Sequence, residues 1–359
     1  MSQPKKILIM AGGTGGHVYP ALAVADLLCD AGHSVEWLGS VRGIENTVVP
    51  NAGIQLHTIE VHGLRGKGKL SLLLSPFNLV KACLQALKVC KRVKPDCVLG
   101  MGGFASGPGA LSAWILGVPL VIHEQNAIAG LTNSQSRRFA KRVLQAFPNA
   151  FKRGSQGQVV GNPIRGPILS MATPDERYLN REGALRVLVV GGSLGARAIN
   201  ELMPNALSLI PLEQRPEVFH QSGTQHLQTT REAYNGLNVD ARVVPFIESM
   251  EQAYSWADLV ICRAGALTVS EIAIAGVPAL FIPFPFAVDD HQTANAQGLV
   301  NVGGADLMPQ ESVTAERLSA WLQQHQSRAT LLAMANAARS QAKPDASRQV
   351  ADICLEVAR

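Results

Sequence analysis

A strand–glycine turn–helix unit occurs twice in this chain, and it constrains the fold more than any other feature. The first copy, KILIMAGGTGGH at 6–17, leads into the Ala/Leu-rich segment ALAVADLLCDAG and a second strand, HSVEWLGS. The second copy begins at RVLVVGGSLGA, where Gly191 occupies the place of Gly12. A short apolar strand that runs through glycines into a helix is half of a nucleotide-binding βαβ unit.

The same alternation of strands and helices continues through both halves of the chain. Apolar strands such as CVLGMGG, LVIHEQN, LVICRAG and ALFIPF are separated by helical segments, which predicts a parallel sheet in each half. Prolines and glycines cluster in GNPIRGP at 161–167. We therefore expect an α/β protein of two Rossmann-like domains, 1–163 and 164–342, whose sheets face a cleft. A last helix at about 343–359 is expected to dock back on the first domain.

The N-terminus and the apolar segments do not predict membrane insertion. The start MSQPKKILIM has no signal-peptide pattern, and the longest apolar stretch, 277–288, contains three prolines and is too short for a bilayer. We expect a soluble protein of the cytoplasm.

Charge is distributed unevenly along the chain. Residues 1–165 contain 18 basic and 7 acidic side chains, a net charge of +11. Residues 166–359 contain 14 basic and 20 acidic side chains, a net charge of −6. Eight basic residues and no acid lie between Glu60 and Asp96. The first half therefore favours an anionic partner, either nucleic acid or anionic lipid.

The acid-free segment also has an apolar stripe at helical spacing, which includes Leu73, Phe77 and Val80 and continues to Leu84 and Leu87. One interpretation is an amphipathic helix that packs on its own core. The other is a helix that lies in an anionic lipid interface, with Leu73, Phe77 and Val80 as membrane contacts. Only 5% of residues are aromatic, so few rings are present to stack bases, and nucleic acid is not favoured.

AGGTGGH predicts an anion site at the start of the first helix. Glycines let backbone amides approach a phosphate, and the helix dipole adds a favourable field. The turn matches neither GxGxxG nor GxxxxGK[ST], and a purely structural turn is the alternative. His17 lies at this helix start, where the dipole favours the neutral imidazole that a general base requires. A structural histidine is the alternative for that residue.

Two further glycine turns predict that the second domain binds a nucleotide. GGSLGA at 191–196 offers a cradle with Ser193 as an extra hydrogen-bond donor. CRAGALTVSE at 262–271 offers the amides of Ala266 to Thr268, with Glu271 placed to accept from ribose hydroxyls. The alternative for Glu271 is a carboxylate that only stabilises the helix start. Two such cradles suit a diphosphate.

Polar residues follow two more apolar strands. HEQNAIAG places His123, Glu124, Gln125 and Asn126 at the carboxyl end of a strand, where α/β sheets bind ligands. In DDHQTANA, Asp289 and Asp290 are adjacent and no DxD occurs, so we expect solvated acids and no bound metal, with His291 and Gln292 reaching a sugar. GMGGFASGP at 100–108 is another glycine loop of the first domain.

These motifs, taken in order, resemble the MurG family of GT-B glycosyltransferases over nearly the whole chain. The motifs are GGTGGH, GLRGKG, GMGGFASGP, HEQNAIAGLTN, GNPIR, GGSLGA, AGALTVSE and DDHQTANA. The resemblance implies transfer of N-acetylglucosamine from UDP-GlcNAc to lipid I, which gives lipid II for peptidoglycan. It also implies work at the cytoplasmic face of the membrane, peripheral attachment, and cell-wall synthesis proteins as further partners.

The resemblance assigns roles to individual residues. It implies that backbone at Ile247 reads the uracil, that Glu271 holds the ribose, and that Asn126 and Gln292 face the sugar. The sugar-donor site implied is Thr14, Gly15, Gly16, Asn126, Arg165, Ser193, Ile247, Ala266, Leu267, Thr268, Val269, Ser270, Glu271 and Gln292. The acceptor site implied is Gly13, His17, Gly102, Gly103, His123 and Glu124.

The predicted chemistry is a single inverting displacement in which His17 takes the proton of the acceptor hydroxyl, with Glu124 as the alternative base. No cofactor or metal is expected. Other functions left open are a UDP-GlcNAc 2-epimerase, another GT-B transferase, and a non-catalytic nucleotide-sugar sensor. A flavin or nicotinamide enzyme is disfavoured by the incomplete GxGxxG pattern.

Overall fold

The chain forms two structural units, each built on a parallel sheet. The computed structural model describes residues 3–61, 75–151, 157–179, 181–192 and 195–359. Two predicted site residues, Leu73 and Ser193, lie outside the described residues. Unit 1 comprises Met1–Arg165 and Lys343–Arg359, and unit 2 comprises Gly166–Ala342. Unit 1 therefore extends to Arg165 rather than to the predicted residue 163, and the C-terminal segment belongs to it.

Unit 1 contains a seven-stranded parallel sheet in the order β3-β2-β1-β4-β5-β6-β7. Its strands are β1 (Lys6–Ala11), β2 (Ser34–Ser40), β3 (Gln55–Ile59), β4 (Cys97–Gly102), β5 (Leu120–Glu124), β6 (Arg142–Gln145) and β7 (Gln158–Val159). The strand order reverses at β1, which pairs with β2 on one side and β4 on the other. Ligands of α/β sheets bind at such a switch point, outside the carboxyl ends of the strands.

Helices cover both faces of this sheet. Those that precede residue 151 are α1 (Gly15–Asp30), α2 (Glu45–Asn51), α3 (Ser75–Val93), α4 (Ser106–Ile115) and α5 (Leu131–Ser136). Successive side chains of β1 point to opposite faces. Ile9 packs in the core that contains Val24 of α1, and Met10 packs in the core that contains Ala86 of α3. Burial on both faces explains why the strand is apolar at every position after Lys6.

Unit 2 repeats the same strand order in a six-stranded parallel sheet, β10-β9-β8-β11-β12-β13. Its strands are β8 (Arg186–Val190), β9 (Glu217–Gln221), β10 (Arg242–Val244), β11 (Leu259–Cys262), β12 (Ala279–Phe281) and β13 (Ala305–Leu307). The carboxyl ends of β8 and β11 therefore flank its switch point. The two parallel α/β sheets confirm the predicted fold class.

The helices of unit 2 are α6 (Gly166–Leu169), α7 (Pro174–Tyr178), α8 (Arg197–Ser208), α9 (Leu227–Gly236), α10 (Met250–Trp256), α11 (Ala266–Ala275), α12 (His291–Asn301), α13 (Ala315–Gln324) and α14 (Arg328–Arg339). The core joins Val189 of β8 to Met203 of α8 and Leu318 of α13. The chain then returns to unit 1 as α15 (Ala346–Val357), whose Val350 and Cys354 are buried in the core beside α1.

Candidate active site

Two glycine loops of unit 1 meet at the carboxyl ends of β1 and β4. Gly102 and Gly103 have φ of +99° and +86°, a region that side chains disfavour. A Cβ on Gly103 would overlap the carbonyl oxygen of Gly12. The hydroxyl of Ser106 donates to the carbonyl oxygens of Met10 at 2.9 Å and Gly102 at 2.7 Å. The two loops therefore contact each other through backbone atoms. Only glycine permits this contact at Gly103, because a side chain there would overlap Gly12.

A buried carboxylate that the sequence analysis did not single out lies behind the first loop. Glu45, at the start of α2, is fully buried. Its Oε2 accepts from the amide of Gly13 at 2.9 Å, and its Oε1 accepts from the amide and hydroxyl of Ser40 at 3.1 and 2.7 Å. A Cβ on Gly12 would lie 2.5 Å from that Oε1. Because Glu45 is 32 residues away from Gly13, no local motif marks it.

The start of α1 gathers several of the predicted sugar-donor contacts. Thr14 is the N-cap residue, and its exposed side chain makes no capping hydrogen bond. The amides of Gly15 and Gly16 are too close to the helix start to have a partner inside it, so they suit an anion. The ring of Tyr19 lies beside Gly15, and the Arg165 guanidinium lies 5.3 Å from that ring's centroid. Tyr19 therefore connects Arg165 to the helix start.

His17 lies in the first turn of α1, partly exposed, with its ring against Gly102. A Cβ on Gly102 would lie 3.1 Å from Nδ1 and Cε1 of His17. Nδ1 is 2.9 Å from Oε1 of Gln125. An amide oxygen only accepts, so Nδ1 holds a proton, and the neutral ring then presents Nε2 as a proton acceptor. The structure thus brings the predicted base beside the predicted acceptor loops.

His123 and Glu124, two predicted acceptor contacts, are buried at the end of β5. His123 Nε2 donates to the carbonyl of Gly161 at 2.8 Å, and burial lowers the His123 pKa to about 4. Glu124 Oε1 accepts from the amide and side chain of Asn126 at 2.9 and 3.2 Å, and Oε2 accepts from Asn133 at 2.9 Å. Because donors occupy both Glu124 oxygens, the geometry favours His17 as base. Direct contact of His123 or Glu124 with an acceptor stays a prediction.

In unit 2, a glutamine joins the glycine turn after β8 to the predicted uracil site. Gln221 Nε2 donates to the carbonyl of Gly192 at 2.9 Å, and its Oε1 accepts from the amide of Ile247 at 2.8 Å. The backbone group that Ile247 offers to a base is therefore its carbonyl oxygen. Gly192 and Gly195 have φ of +80° and +79°. Gln221 was missed because its contacts are distant in sequence.

The start of α11 forms the second predicted phosphate cradle. Gly265 is its N-cap, and the amide of Val269 donates to the Gly265 carbonyl at 2.9 Å. The amides of Leu267 and Thr268 precede the first residue that can bond inside the helix. With Ala266 and Ser270, these residues form the helix start at the switch point, where the dipole favours an anion.

Glu271, the predicted ribose contact, is held by a tyrosine from the neighbouring helix. The carboxylate is 7% exposed, and the fully buried Tyr254 donates its hydroxyl to Oε2 at 3.1 Å. A buried carboxylate oriented in this way is a fixed acceptor rather than a mobile surface charge. Tyr254, on α10, is the second residue that the sequence analysis missed in this unit.

Gln292, the predicted sugar contact, lies in the first turn of α12. Its Oε1 accepts from the amide of Phe284 at 2.9 Å, which leaves the amide nitrogen as the group to meet a sugar. Asp289 and Asp290 precede it with φ of +54° and +51°, a conformation that costs about 1–3 kcal/mol in non-glycine residues. Within the described ranges no three His, Cys, Asp or Glu side chains form a metal cluster. Metal-independent catalysis stays a prediction.

The predicted membrane helix, α3, has two apolar faces. One contains Ala82 and Ala86, which are buried in the core. The other contains Phe77, Val80 and Leu84, whose exposed fractions are 72%, 57% and 62%. The core interpretation is therefore confirmed for the first face, and contact of the second face with a lipid interface stays a prediction. No helix among the described residues has the length and apolar content to cross a bilayer.

Comparison with protein families finds two matches in this chain. The glycosyltransferase family 28 N-terminal domain matches residues 7–145, and the C-terminal domain of the same family matches residues 186–350. Together they span both glycine turns and both switch points.

Curated relatives match over almost the full length. A Marinobacter nauticus protein is 52% identical over 358 residues, which cover 99% of each chain. A Pseudomonas putida protein is 54% identical over 361 residues, with the same coverage. Both are named UDP-N-acetylglucosamine–N-acetylmuramyl-(pentapeptide) pyrophosphoryl-undecaprenol N-acetylglucosamine transferase.

Solved structures agree with this result. The crystal structure of Acinetobacter baumannii MurG is 44% identical, with a TM-score of 0.85, and the match covers 98% of this chain and 100% of that one. The glycotransferase of kitacinnamycin has a TM-score of 0.75 at 16% identity, with full coverage of both chains, and shows the shared fold alone.

Proposed function

This chain belongs to glycosyltransferase family 28, and on that premise we propose that it makes lipid II. It transfers N-acetylglucosamine from UDP-GlcNAc to the C4 hydroxyl of N-acetylmuramic acid in undecaprenyl-pyrophosphoryl-MurNAc-pentapeptide, lipid I. The observation that carries the proposal is 52–54% identity, over nearly the full length, to curated relatives whose names state this transfer. The geometry of the two candidate sites supports the residue roles proposed below.

Unit 2 holds the sugar donor in this proposal. The diphosphate of UDP lies against the start of α11 and the glycine turn after β8, where amide groups and the helix dipole oppose its charge. The carboxylate of Glu271 accepts from the ribose hydroxyls, and the carbonyl of Ile247 accepts from the uracil. The amide nitrogen of Gln292 donates to a hydroxyl of the sugar. Two of these groups are held by buried partners, Tyr254 and Gln221.

Unit 1 holds the acceptor. The glycine loops after β1 and β4 carry the amides that meet the lipid I diphosphate, and Glu45 fixes the first of these loops through Gly13. His17 follows that loop directly, so its Nε2 lies within one helical turn of the anion site. A base next to an anion site suits an acceptor whose reacting hydroxyl is on the sugar attached to that diphosphate.

The reaction is one displacement at the anomeric carbon. The C4 oxygen of N-acetylmuramic acid forms the new bond while the bond from the anomeric carbon to the β-phosphate oxygen breaks, and that electron pair leaves with UDP. Nε2 of His17 takes the hydroxyl proton and later returns it to water. The transition state is oxocarbenium-like, and attack from the opposite face inverts the anomeric centre and gives a β-1,4 linkage. The amides at the start of α11 stabilise the leaving diphosphate, so the proposal requires no bound metal.

The outward face of α3 attaches the enzyme to the membrane in this proposal. Lipid I is anchored in the bilayer, and no helix of the described residues is suited to cross it, so the enzyme gains from a face that lies in the interface. Phe77, Val80 and Leu84 supply apolar area, and Lys88 and Lys91 on the same helix supply positive charge for anionic lipid. We place the protein at the cytoplasmic face of the cell membrane, as a peripheral protein.

The experiment that tests the function is transfer of labelled N-acetylglucosamine from UDP-GlcNAc to a short-chain lipid I analogue, with and without EDTA. We expect a lipid II-like product and an equal amount of UDP, at the same rate in both samples. Loss of activity with EDTA that added metal restores would contradict the metal-independent mechanism and leave the transfer standing.

Other products identify the alternatives. Epimerised UDP-sugar without acceptor product would indicate an epimerase, and UDP-GlcNAc that binds but stays intact with every acceptor would indicate a sensor. Either result would overturn the proposed transfer.

A further inference from the structure

A chain of three hydrogen bonds links the predicted base to a backbone carbonyl through two buried side chains. Nδ1 of His17 is 2.9 Å from Oε1 of Gln125. Nε2 of Gln125 is 3.1 Å from Nδ1 of His123, and Nε2 of His123 is 2.8 Å from the carbonyl oxygen of Gly161. Neither Gln125 nor His123 has a role in the proposed reaction, although Gln125 contacts its base and His123 contacts Gln125.

The direction of every bond in this chain follows from its two ends. The carbonyl of Gly161 only accepts, so Nε2 of His123 holds a proton. The amide group of Gln125 also donates to the backbone carbonyl of His123 at 3.1 Å, so the nitrogen of that amide faces His123. Its second hydrogen points to Nδ1 of His123, which is therefore the unprotonated nitrogen of a neutral ring. The Gln125 oxygen then faces His17, and this hydrogen bond requires a proton on Nδ1 of His17.

Burial excludes the two alternatives, a protonated His123 and a flipped Gln125 amide. His123 is fully buried and Gln125 is 1% exposed, so water cannot replace a mismatched partner. A protonated His123 would turn an N–H toward the Gln125 amide hydrogens, and burial already lowers its pKa to about 4. A flipped Gln125 amide would place its oxygen against two other acceptors, the carbonyl oxygen and the unprotonated Nδ1 of His123. The first change would place two donors against each other at hydrogen-bond distance, and the second would do the same with acceptors.

We propose that Gln125 and His123 are positioning residues that hold His17 in the Nδ1–H tautomer, so that its Nε2 lone pair is the one presented to the acceptor hydroxyl. The inference rests on the proposed function, because a fixed tautomer matters only for a base. A free neutral imidazole exchanges between both tautomers, and the wrong one would present an N–H to the hydroxyl. The same principle makes the orienting partner of a catalytic histidine important in other enzymes.

The first test is a measurement on the unmodified enzyme. ¹⁵N NMR of protein labelled at its histidine rings distinguishes protonated from unprotonated ring nitrogens, and a His17→Asn variant assigns the His17 signals among the nine histidines. For the neutral ring we expect a single tautomer with the proton on Nδ1. A proton on Nε2, or an even mixture, would overturn the proposal. This readout does not depend on turnover, so it stands even if the proposed transfer fails.

The second test removes the orienting oxygen. Gln125→Met keeps the length of the side chain and deletes both polar atoms. We expect its His17 signals to show a mixture of tautomers, kcat to fall about 100-fold, and KM for UDP-GlcNAc to stay within about twofold. A residue that only supports the fold would not change the tautomer of His17.

A matched control and a second variant complete the design. Gln145→Met removes another buried glutamine of unit 1, whose amide donates to the Gly157 carbonyl at 2.8 Å outside the site, and should keep both the His17 tautomer and kcat. His123→Phe removes the next member of the chain and should reproduce the mixed tautomer of Gln125→Met. If both variants keep the single Nδ1–H tautomer, the inference is wrong. If the tautomer becomes mixed while kcat is unchanged, His17 is not the base.

Discussion

The carboxylate of Glu45 accepts a hydrogen bond from the amide of Gly13 at 2.9 Å, inside unit 1 and away from solvent. The same side chain accepts from Ser40 and occupies the space that a Cβ on Gly12 would need. Glu45 therefore holds the first glycine loop in its shape. It also leaves no room for a side chain at Gly12.

Glu45→Gln should weaken acceptor binding and stability together. The amide that replaces one oxygen turns an N–H toward the donors of Gly13 or Ser40, and an unmade buried bond costs about 1–3 kcal/mol. We expect a lower urea midpoint and a higher KM for the lipid I analogue, measured by denaturation and by the transfer assay. Glu217→Gln, at an exposed carboxylate, is the control and should change neither value.

Gly102→Ala should slow the reaction through His17. The new Cβ would lie 3.1 Å from the ring, and the backbone has φ of +99°, so the substitution displaces the base and strains the loop. We expect kcat to fall by about tenfold or more with UDP-GlcNAc binding unchanged, since misplacement of a reacting group is costly. Gly236→Ala, where the same Cβ meets nothing within 4 Å, should be kinetically silent.

Tyr254→Phe should weaken binding of the sugar donor without affecting the base. The change removes the donor that orients Glu271, and a hydrogen bond to a charged group contributes about 1.5–3 kcal/mol. We expect KM for UDP-GlcNAc to rise about tenfold and the tautomer of His17 to stay unchanged. Tyr178→Phe removes a comparable buried hydroxyl, bonded to the Asp258 carbonyl at 2.6 Å, and should lower stability without this change in KM.

Acid should destabilise the fold through His123. Burial lowers its pKa from 6.5 to about 4, so between these values the unfolded chain binds a proton that the folded chain does not. Stability is then complete above pH 6.5 and falls as the pH decreases toward 4, by on the order of 3 kcal/mol for this residue. Urea titrations across that range should show a smaller decrease in His123→Phe than in the unmodified protein. An equal slope in both would contradict this assignment.

Phe77→Glu together with Leu84→Glu should release the protein from anionic vesicles. Both side chains are exposed on α3, so charges there oppose insertion while the core face of the helix is untouched. We expect less protein to sediment with phosphatidylglycerol vesicles and unchanged UDP binding. Leu212→Glu, at a leucine of unit 2 that is 75% exposed, is the matched control. Undiminished sedimentation of the double variant would remove α3 from the membrane proposal.

The fold and the loops that carry the site could be predicted from the sequence because their signals are local. Apolar strands that run through glycines into helices determine a doubly wound sheet, and the carboxyl ends of its strands determine where ligands bind. The glycine turns, the placement of His17 in the first turn of α1 and the placement of Glu271 within α11 follow from neighbours in the chain. The family resemblance adds roles that no spacing supplies.

The tertiary structure decided which of these residues are buried and which partners orient them. His123 was expected at the acceptor and is buried behind Gln125, whereas Glu45, Gln221 and Tyr254 had no local signal. A buried polar group must be satisfied, and its partner comes from whichever strand or loop packs beside it, not from a fixed offset along the chain. The sequence alone determined where a site would form, and the packing of distant segments decided the proton positions and carboxylate orientations within it.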